Sequence, residues 1–316
     1  MNNIYVKING RLGNQFFQYA FARKLQSQIG GELILDFTSL KLNAKEGFLG
    51  HNGVENHLSN FNVKPFRYID LGNYDKSLIP SFQYKIFEFM RKIKPMTRRK
   101  WYVEFMELID HRLLQHFGIY FLESANPYKY LKLPTKPRNL LVRGWFEGAC
   151  YFDDIASDLR KELSPKHPLP PHLESLYADL LTNEYICVTI RRGDFTTDAY
   201  RKRYLICTPE YYRKGVNIIK KMHPEAKIFV CSDDIDWCKE NLDFGFETLF
   251  EPDGLPIWEK IRLMSACKHF VLSNSTFSWW CQYLSDYEEK TVVAPSVWRN
   301  ESPAPAEIYG RNWILL

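Results

Sequence analysis

Apolar and polar positions alternate along this chain in two rhythms, one of period two and one of helical period, and they follow each other in order. Ile4-Tyr5-Val6-Lys7-Ile8 reads as a strand, Asn9-Gly10 as a tight turn, and residues 14–29 as a helix with apolar residues at helical spacing. Gly30 and Gly31 stop that helix, and Leu33-Ile34-Leu35-Asp36 supplies a second strand. Strand, turn, helix and strand in this order open a nucleotide-binding type of sheet. From about residue 40 to 135 the pattern blurs into mixed aromatic and basic content with insertions, and it specifies little.

The rhythm returns after Ser164-Pro165-Lys166-His167-Pro168-Leu169-Pro170-Pro171, where the density of proline stops helices and marks an interdomain linker. Beyond it the pattern predicts strands at 185–190, 227–231, 247–250, 269–272 and 291–294. Helices are predicted at 209–222, 234–242, 256–267 and from about 276. Strands alternating with helices imply a parallel sheet with right-handed crossovers. The expectation is an α/β protein of two Rossmann-like domains facing each other across a cleft, residues 1–165 and 166–316.

Composition adds limits. A chain of 316 residues is long for one core, which supports the division. The aromatic share of 16% suits stacking on bases or sugars, although most such rings belong to cores. A formal charge of +5 fits an acidic small molecule or an anionic surface and is only weak evidence for nucleic acid, which with one short basic run and no recognised module is not an expected partner. The one dense basic run, residues 91–100, follows apolar-rich residues 86–90 and precedes Trp101. It reads as a solvated basic face or as a peripheral attachment to an anionic membrane. The start does not resemble a signal peptide, and no segment has the apolar length of a membrane helix. The seven cysteines (150, 187, 207, 231, 238, 267 and 281) contain no CxxC pair and sit mostly in apolar runs. They read as reduced residues of a cytoplasmic protein, located in the cytosol or at the inner face of the membrane. The histidines lack ligand spacing, so no metal is expected.

Four loops carry candidate chemistry. The buried strand that ends at Ile190 leads into Arg191-Arg192-Gly193-Asp194-Phe195, at the carboxyl edge where open α/β sheets bind ligands. Two adjacent guanidiniums there suit bidentate capture of a diphosphate, whereas an Arg191–Asp194 ion pair bracing the loop is the plainer reading. Gly10-Arg11-Leu12-Gly13-Asn14-Gln15 joins strand to helix. It either brings a helix N-terminus up to an anion or is a structural turn. Ser232-Asp233-Asp234 either caps a helix or offers a carboxylate to a base edge or ribose, guanine being suited to it. Ser273-Asn274-Ser275-Thr276-Phe277-Ser278 supplies four hydroxyls and an amide where a helix cap needs one, which points to phosphate binding.

Taken together, GRLGNQFFQYAFA, RRGDF, CSDD and SNSTFSWW resemble family 11 of the glycosyltransferases, the α-1,2-fucosyltransferases. Gly144-Trp145-Phe146-Glu147-Gly148-Ala149-Cys150-Tyr151-Phe152 and Val292-Val293-Ala294-Pro295-Ser296-Val297-Trp298 also resemble that family, and the matches keep their order from residue 9 to about 298. The resemblance implies a GT-B fold, GDP-β-L-fucose as donor substrate, inversion at the anomeric carbon, and no metal or other cofactor. Arginines and a helix N-terminus can neutralise a departing diphosphate as a cation would. Asp234-Ile235-Asp236 offers a DxD pattern, but it follows its strand directly and begins a helix, so it is discounted as a metal site.

Carried onto this sequence, the resemblance assigns Arg192, then Arg191, to the diphosphate, and Asp194 to orienting both. Ser275, Thr276 and Ser278, with Asn274 and Phe277 beside them, match its phosphate-binding turn. Asp233 or Asp234 would face guanosine. Arg11, Gly13, Asn14 and Gln15 match the loop that related fucosyltransferases direct at the donor. The acceptor is expected to be a galactose-terminated glycan, free or lipid-linked. The proton acceptor stays open among Glu147, Asp36 and Asp194. Two departures stand out: Thr189 where the family has histidine, and Glu147 where it often has glutamine. A relative with another linkage or nucleotide sugar, and an inactive GDP-sugar or glycan-binding protein, are the alternatives.

Overall fold

The structure is a computed structural model that describes residues 2–40, 55–93, 112–122, 131–300 and 307–316. The chain forms two compact units. The first contains β1 (Asn3–Lys7), α1 (Leu12–Ile29), β2 (Glu32–Asp36), β3 (Arg67–Ile69), α2 (Ser81–Ile93), β4 (Ile119–Leu122) and β5 (Leu140–Gly144). Its five strands are all parallel, in the order β3-β2-β1-β5-β4. Ile4 is matched to Leu33 on one side and to Leu140 on the other, so β1 is interior and its Ile4, Tyr5 and Val6 are fully buried. Helix α1 begins at Leu12, two residues earlier than its spacing predicts. Nearly all its faces are covered: Phe16, Phe17, Tyr19 and Phe21 are buried along with Gln15 and Gln18.

Helix α3 (Ala156–Glu162) carries the chain from the first unit to the second, with the division between Leu159 and Arg160. This differs from the expected boundary at 165/166 because the proline run is fastened inside the second unit. Pro165 forms an antiparallel bridge with Phe61, the amide of Asn62 donates to the Ser164 carbonyl (3.0 Å), and that of Lys166 donates to the Asn60 carbonyl (3.0 Å). Near its end the chain also contributes to the first unit: the backbone of Glu307 lies directly against Gly148.

The second unit continues with α4 (Glu174–Thr182), β6 (Tyr185–Ile190), α5 (Asp198–Tyr204), α6 (Pro209–Met222) and β7 (Lys227–Ser232). It is completed by α7 (Ile235–Asn241), β8 (Thr248–Phe250), α8 (Ile257–Ala266), β9 (His269–Val271), α9 (Thr276–Leu284), β10 (Val292–Ala294) and β11 (Ile314–Leu315). The six strands are parallel, in the order β11-β10-β9-β6-β7-β8. All six residues of β6 are buried. Ile186, Val188 and Ile190 pack with Val216 and Ile219 of α6, and with Ile228 and Val230 of β7.

Strand order fixes where ligands belong. After β6 the second sheet grows through β7 and β8 on one side, and β9 then returns to β6's other side, which makes the carboxyl ends of β6 and β9 a topological switch point. In the first sheet the reversal lies between β1 and β5. Each predicted arginine, glycine or hydroxyl loop follows one of these four strands, apart from Ser232-Asp233-Asp234, which follows β7 beside β6. Basic residues 94–100 lie outside the described residues. Among the described residues no helix is long and apolar enough to cross a membrane.

Candidate active site

The charged centre of the second unit lies just beyond β6. Arg191 donates from one terminal nitrogen to Asp194 Oδ1 (2.5 Å) and from the other to Asp233 Oδ2, and its guanidinium lies over the Phe195 ring at 5.5 Å. Arg192 is held differently. Its Nε donates to Asp234 Oδ2 (2.9 Å), its backbone amide to Asp233 Oδ1 (2.8 Å), and its guanidinium stacks on Trp237, 3.5 Å from the ring centroid. The two Nη groups of Arg192 make no hydrogen bond or ion pair among the described residues. The result is a planar two-pronged donor, fixed from behind and along one face, which matches the geometry of a phosphate. Gly193 is required for this packing, since a Cβ there would stand 2.4 Å from Asp233 Oδ2. Arg191 therefore braces the loop through Asp194 and Asp233, and Arg192 presents the donors. Two guanidinium charges against three carboxylates leave the cluster with one net negative charge.

The hydroxyl-rich turn is tied to the same place. Thr189 is buried in β6; its Oγ1 accepts from the amide of Ser273 (3.0 Å) and donates to the Val271 carbonyl (3.4 Å). The threonine that replaces the expected histidine thus docks the turn after β9 onto β6. Within the turn, Ser273 and Ser278 share a buried hydroxyl hydrogen bond (2.9 Å), and the Asn274 amide donates to the carbonyls of Tyr204 (3.0 Å) and Trp298 (3.1 Å). Ser278 and Asn274 consequently shape the turn. Ser275, Thr276 and Phe277 are half-buried at the first residues of α9, and Ser275 occupies the N-cap position without a side-chain cap bond. The first turn of α9 therefore offers backbone N–H groups and two hydroxyls to an anion.

In the first unit, Gly10 turns the chain with φ of 77° beside Asn14, and Arg11 takes the N-cap position of α1 without a side-chain cap bond. Gln15 is fully buried and holds the loop from below: its Nε2 donates to the carbonyls of Gly10 (3.1 Å) and Glu55 (2.9 Å), while its Oε1 accepts from the His57 amide (3.1 Å). Gln15 is thus a brace. Gly13 is buried, and Asn14 Oδ1 is buried without a hydrogen-bond partner among the described residues. Glu147 is half-buried in the loop after β5. The preceding Phe146 has φ of 50°, a left-handed conformation that costs a non-glycine residue about 1–3 kcal/mol and collects at functional loops. Stacking of Phe146 on Phe21, with ring centroids 4.1 Å apart, holds it there. Of the other two proposed proton acceptors, Asp36 accepts from the Tyr5 hydroxyl (2.5 Å) and the Thr38 amide (2.9 Å), and Asp194 is paired with Arg191. Burial, with Asp36 next, drives the Tyr5 phenol far above its usual range, so that proton stays in place.

Among the described residues the carboxylates here face cations. Asp234 is paired with Arg192, and Asp236 is exposed beside Lys239. Among the described residues one group, Glu184, His223 and His269, brings ligand atoms within 4.8 Å, at the opposite, amino end of the sheet. There His269 Nδ1 accepts from the Thr291 amide (3.1 Å), so a neutral ring carries its proton on Nε2 and cannot ligate through it. Burial, reinforced by His223, lowers the His269 pKa to about 4.

Sequence reasoning missed Trp237, which stands on the first turn of α7 three residues beyond Asp234; that spacing was its available signal. It also missed Glu251 and Lys260, whose contact with Ser232 has no local pattern.

A solved structure of the fucosyltransferase NodZ from Bradyrhizobium superposes with a TM-score of 0.50 at 11% identity, covering 89% of this chain and 92% of that one. The likeness shows the fold, GT-B, consistent with two parallel-sheet units. An Escherichia coli α-1,2-colitosyltransferase is 24% identical over 94% of this chain and 93% of its own length. The Escherichia coli O-antigen biosynthesis glycosyltransferase WbnK is 28% identical over 93% and 94%. Human galactoside α-(1,2)-fucosyltransferase 1 is 24% identical over 43% of this chain and 40% of that protein. A sequence profile of glycosyl transferase family 11 matches residues 3–316, and with the arginine loop, the hydroxyl-rich turn and the two parallel sheets in place, the chain belongs to that family.

Proposed function

We propose that this protein transfers L-fucose from GDP-β-L-fucose to a galactose hydroxyl, O2, of an oligosaccharide or lipid-linked glycan, in the cytoplasm, with inversion and without a metal. The observation that carries the reading is Arg192, clamped by Asp234 and Trp237 with both Nη groups available to an anion. The diphosphate lies on that fork and against the first turn of α9, where Ser275 and Thr276 add hydroxyls. As the glycosidic bond breaks, charge grows on the β-phosphate, and fixed donors already aimed at it stabilise that charge without reorganising. Asp233 stays with Arg191 and the Arg192 amide, which makes it part of the frame; a carboxylate of the pair can still face the guanosine.

The acceptor belongs to the first unit in this reading. Its hydroxyl attacks the oxocarbenium-like carbon from the face opposite GDP, and Glu147 takes its proton directly or through water. Asp36 is a poor base because the Tyr5 hydroxyl and the Thr38 amide occupy it. A second reading keeps the mechanism and changes the donor sugar, favoured by the 24% identity to a colitosyltransferase. Incubation with GDP-fucose and other GDP-deoxyhexoses, each with a panel of galactose-terminated glycans and with or without EDTA, tests both. An α-1,2-fucosyl product that forms equally in EDTA is expected. GDP binding without transfer to any acceptor would leave a binding protein, and turnover that collapses in EDTA and returns with manganese would refute the metal-free mechanism.

A further inference from the structure

Strand β8 ends at Phe250, and Glu251 makes one more ladder contact, its amide donating to the Val230 carbonyl (2.9 Å). Beyond that point Ser232, the last residue of β7, has no neighbouring strand on the β8 side among the described residues. Two side chains fill the gap. Glu251 Oε1 accepts from the Ser232 amide (3.0 Å) and from Lys260 Nζ (2.7 Å), and Lys260 Nζ also donates to the Ser232 carbonyl (2.9 Å). One ion pair, its carboxylate buried and its ammonium partly exposed, thus grips both backbone polar groups of a single residue. Ser232 Oγ in turn accepts from the Asp234 amide (2.9 Å), and Asp233 and Asp234 hold Arg191 and Arg192.

We propose that Glu251 and Lys260 are positioning residues of the diphosphate site: by completing the sheet edge at Ser232 they set Asp233 and Asp234, and through them the orientation of the Arg192 fork. The proposal rests on the reading of Arg192 as a phosphate ligand. Glu251 is 3% exposed, and burying a carboxylate is costly even when it is paired. If this pair served stability alone, two apolar side chains of similar size would do as well. An apolar pair cannot, however, accept from the Ser232 amide or donate to its carbonyl. This is the difference that the test exploits.

The variants are Glu251→Leu with Lys260→Met, Glu251→Gln alone, and Ser232→Ala. The readouts are melting temperature, GDP affinity by calorimetry, and the Nε–H resonance of Arg192 in 15N-resolved spectra. The folded double variant is expected to lose at least about tenfold in GDP affinity, and its Arg192 Nε–H signal to move toward the free-arginine position and exchange faster. Glu251→Gln, which keeps an acceptor for the amide and the ammonium, restores most of both. Ser232→Ala, which removes the link to Asp234 and leaves both backbone groups of residue 232 in place, shifts the resonance without unfolding, and it decides the question if the double variant does not fold. A folded double variant, or Ser232→Ala, with an unchanged Arg192 resonance overturns the proposal. Failure of the wild-type protein to bind GDP overturns the diphosphate reading instead, while the resonance still decides whether the pair positions Arg192.

Discussion

Replacing Arg192 by alanine removes the fork and leaves its supports. Two charge-assisted hydrogen bonds to a phosphate are worth about 1.5–3 kcal/mol each, and the side chain is 21% exposed, so the low end of that range applies. A loss of about 3–4 kcal/mol corresponds to about 10²–10³ in GDP affinity. The sign is reinforced by charge, since three carboxylates would then face one guanidinium and repel an incoming diphosphate. The fold loses much less. The ion pair with Asp234, itself 39% exposed, is worth at most about 1 kcal/mol after solvent screening, and the stack on Trp237 about 0.5–1 kcal/mol. Melting should fall by only a few degrees. Arg192→Lys keeps the charge without the fork and should fall between the two. Calorimetry with GDP at two salt concentrations, beside thermal unfolding, measures both quantities. Unchanged GDP affinity in a folded Arg192→Ala protein would refute the reasoning.

Thr189→Val strands the buried Ser273 amide without its acceptor, at about 1–3 kcal/mol by denaturant unfolding, and should weaken GDP binding because the turn loses its tie to β6; Thr189→Ser should retain both, and a Val variant as stable as wild type would remove the brace from the account. His269, whose folded pKa is about 4 against 6.5 in the unfolded chain, is neutral in both states above pH 6.5; as pH falls from 6.5 to 4 the unfolded chain takes up a proton that the fold refuses, and stability drops by about 3 kcal/mol. His269→Asn keeps an acceptor near the Thr291 amide and should flatten that drop. Parallel stability–pH curves for the two proteins would show that the acid sensitivity lies elsewhere.

How much of this was legible in the sequence depended on strand length and on long-range pairing. Six consecutive buried residues followed by Arg191-Arg192 announced β6 and a candidate site together, because an interior parallel strand is apolar throughout and open α/β sheets place ligands at its carboxyl end. The short outer strands β3 and β4 carry Arg67, Tyr68, Tyr120 and Phe121, a mixture that has no period over three or four residues. Helix α1 is covered on nearly every face, which erases the polar stripe from which its start would be read. The division at Leu159 was hidden because a proline run looks like a linker whether or not it is pinned; here it is pinned by residues 60–62, about a hundred positions away. The arginine loop and the Arg191–Asp194 pair were recognisable by residue type, yet the distinct contacts of its two arginines were not. They follow from Asp233, Asp234 and Trp237, which reach the loop only after β6 and β7 pair.

The contact between Glu307 and Gly148 has a consequence for the order in which this protein is made. Chains leave the ribosome amino end first, and domains generally fold as they emerge. Here the first unit cannot close when its own sequence has been synthesised, since the backbone that covers the loop of Glu147 is encoded after nearly all of the second unit. The second unit closes later still, since its edge strand β11 follows residue 307. A nascent chain released short of residue 307 would therefore lack both the backbone that lies against Gly148 and the edge strand β11.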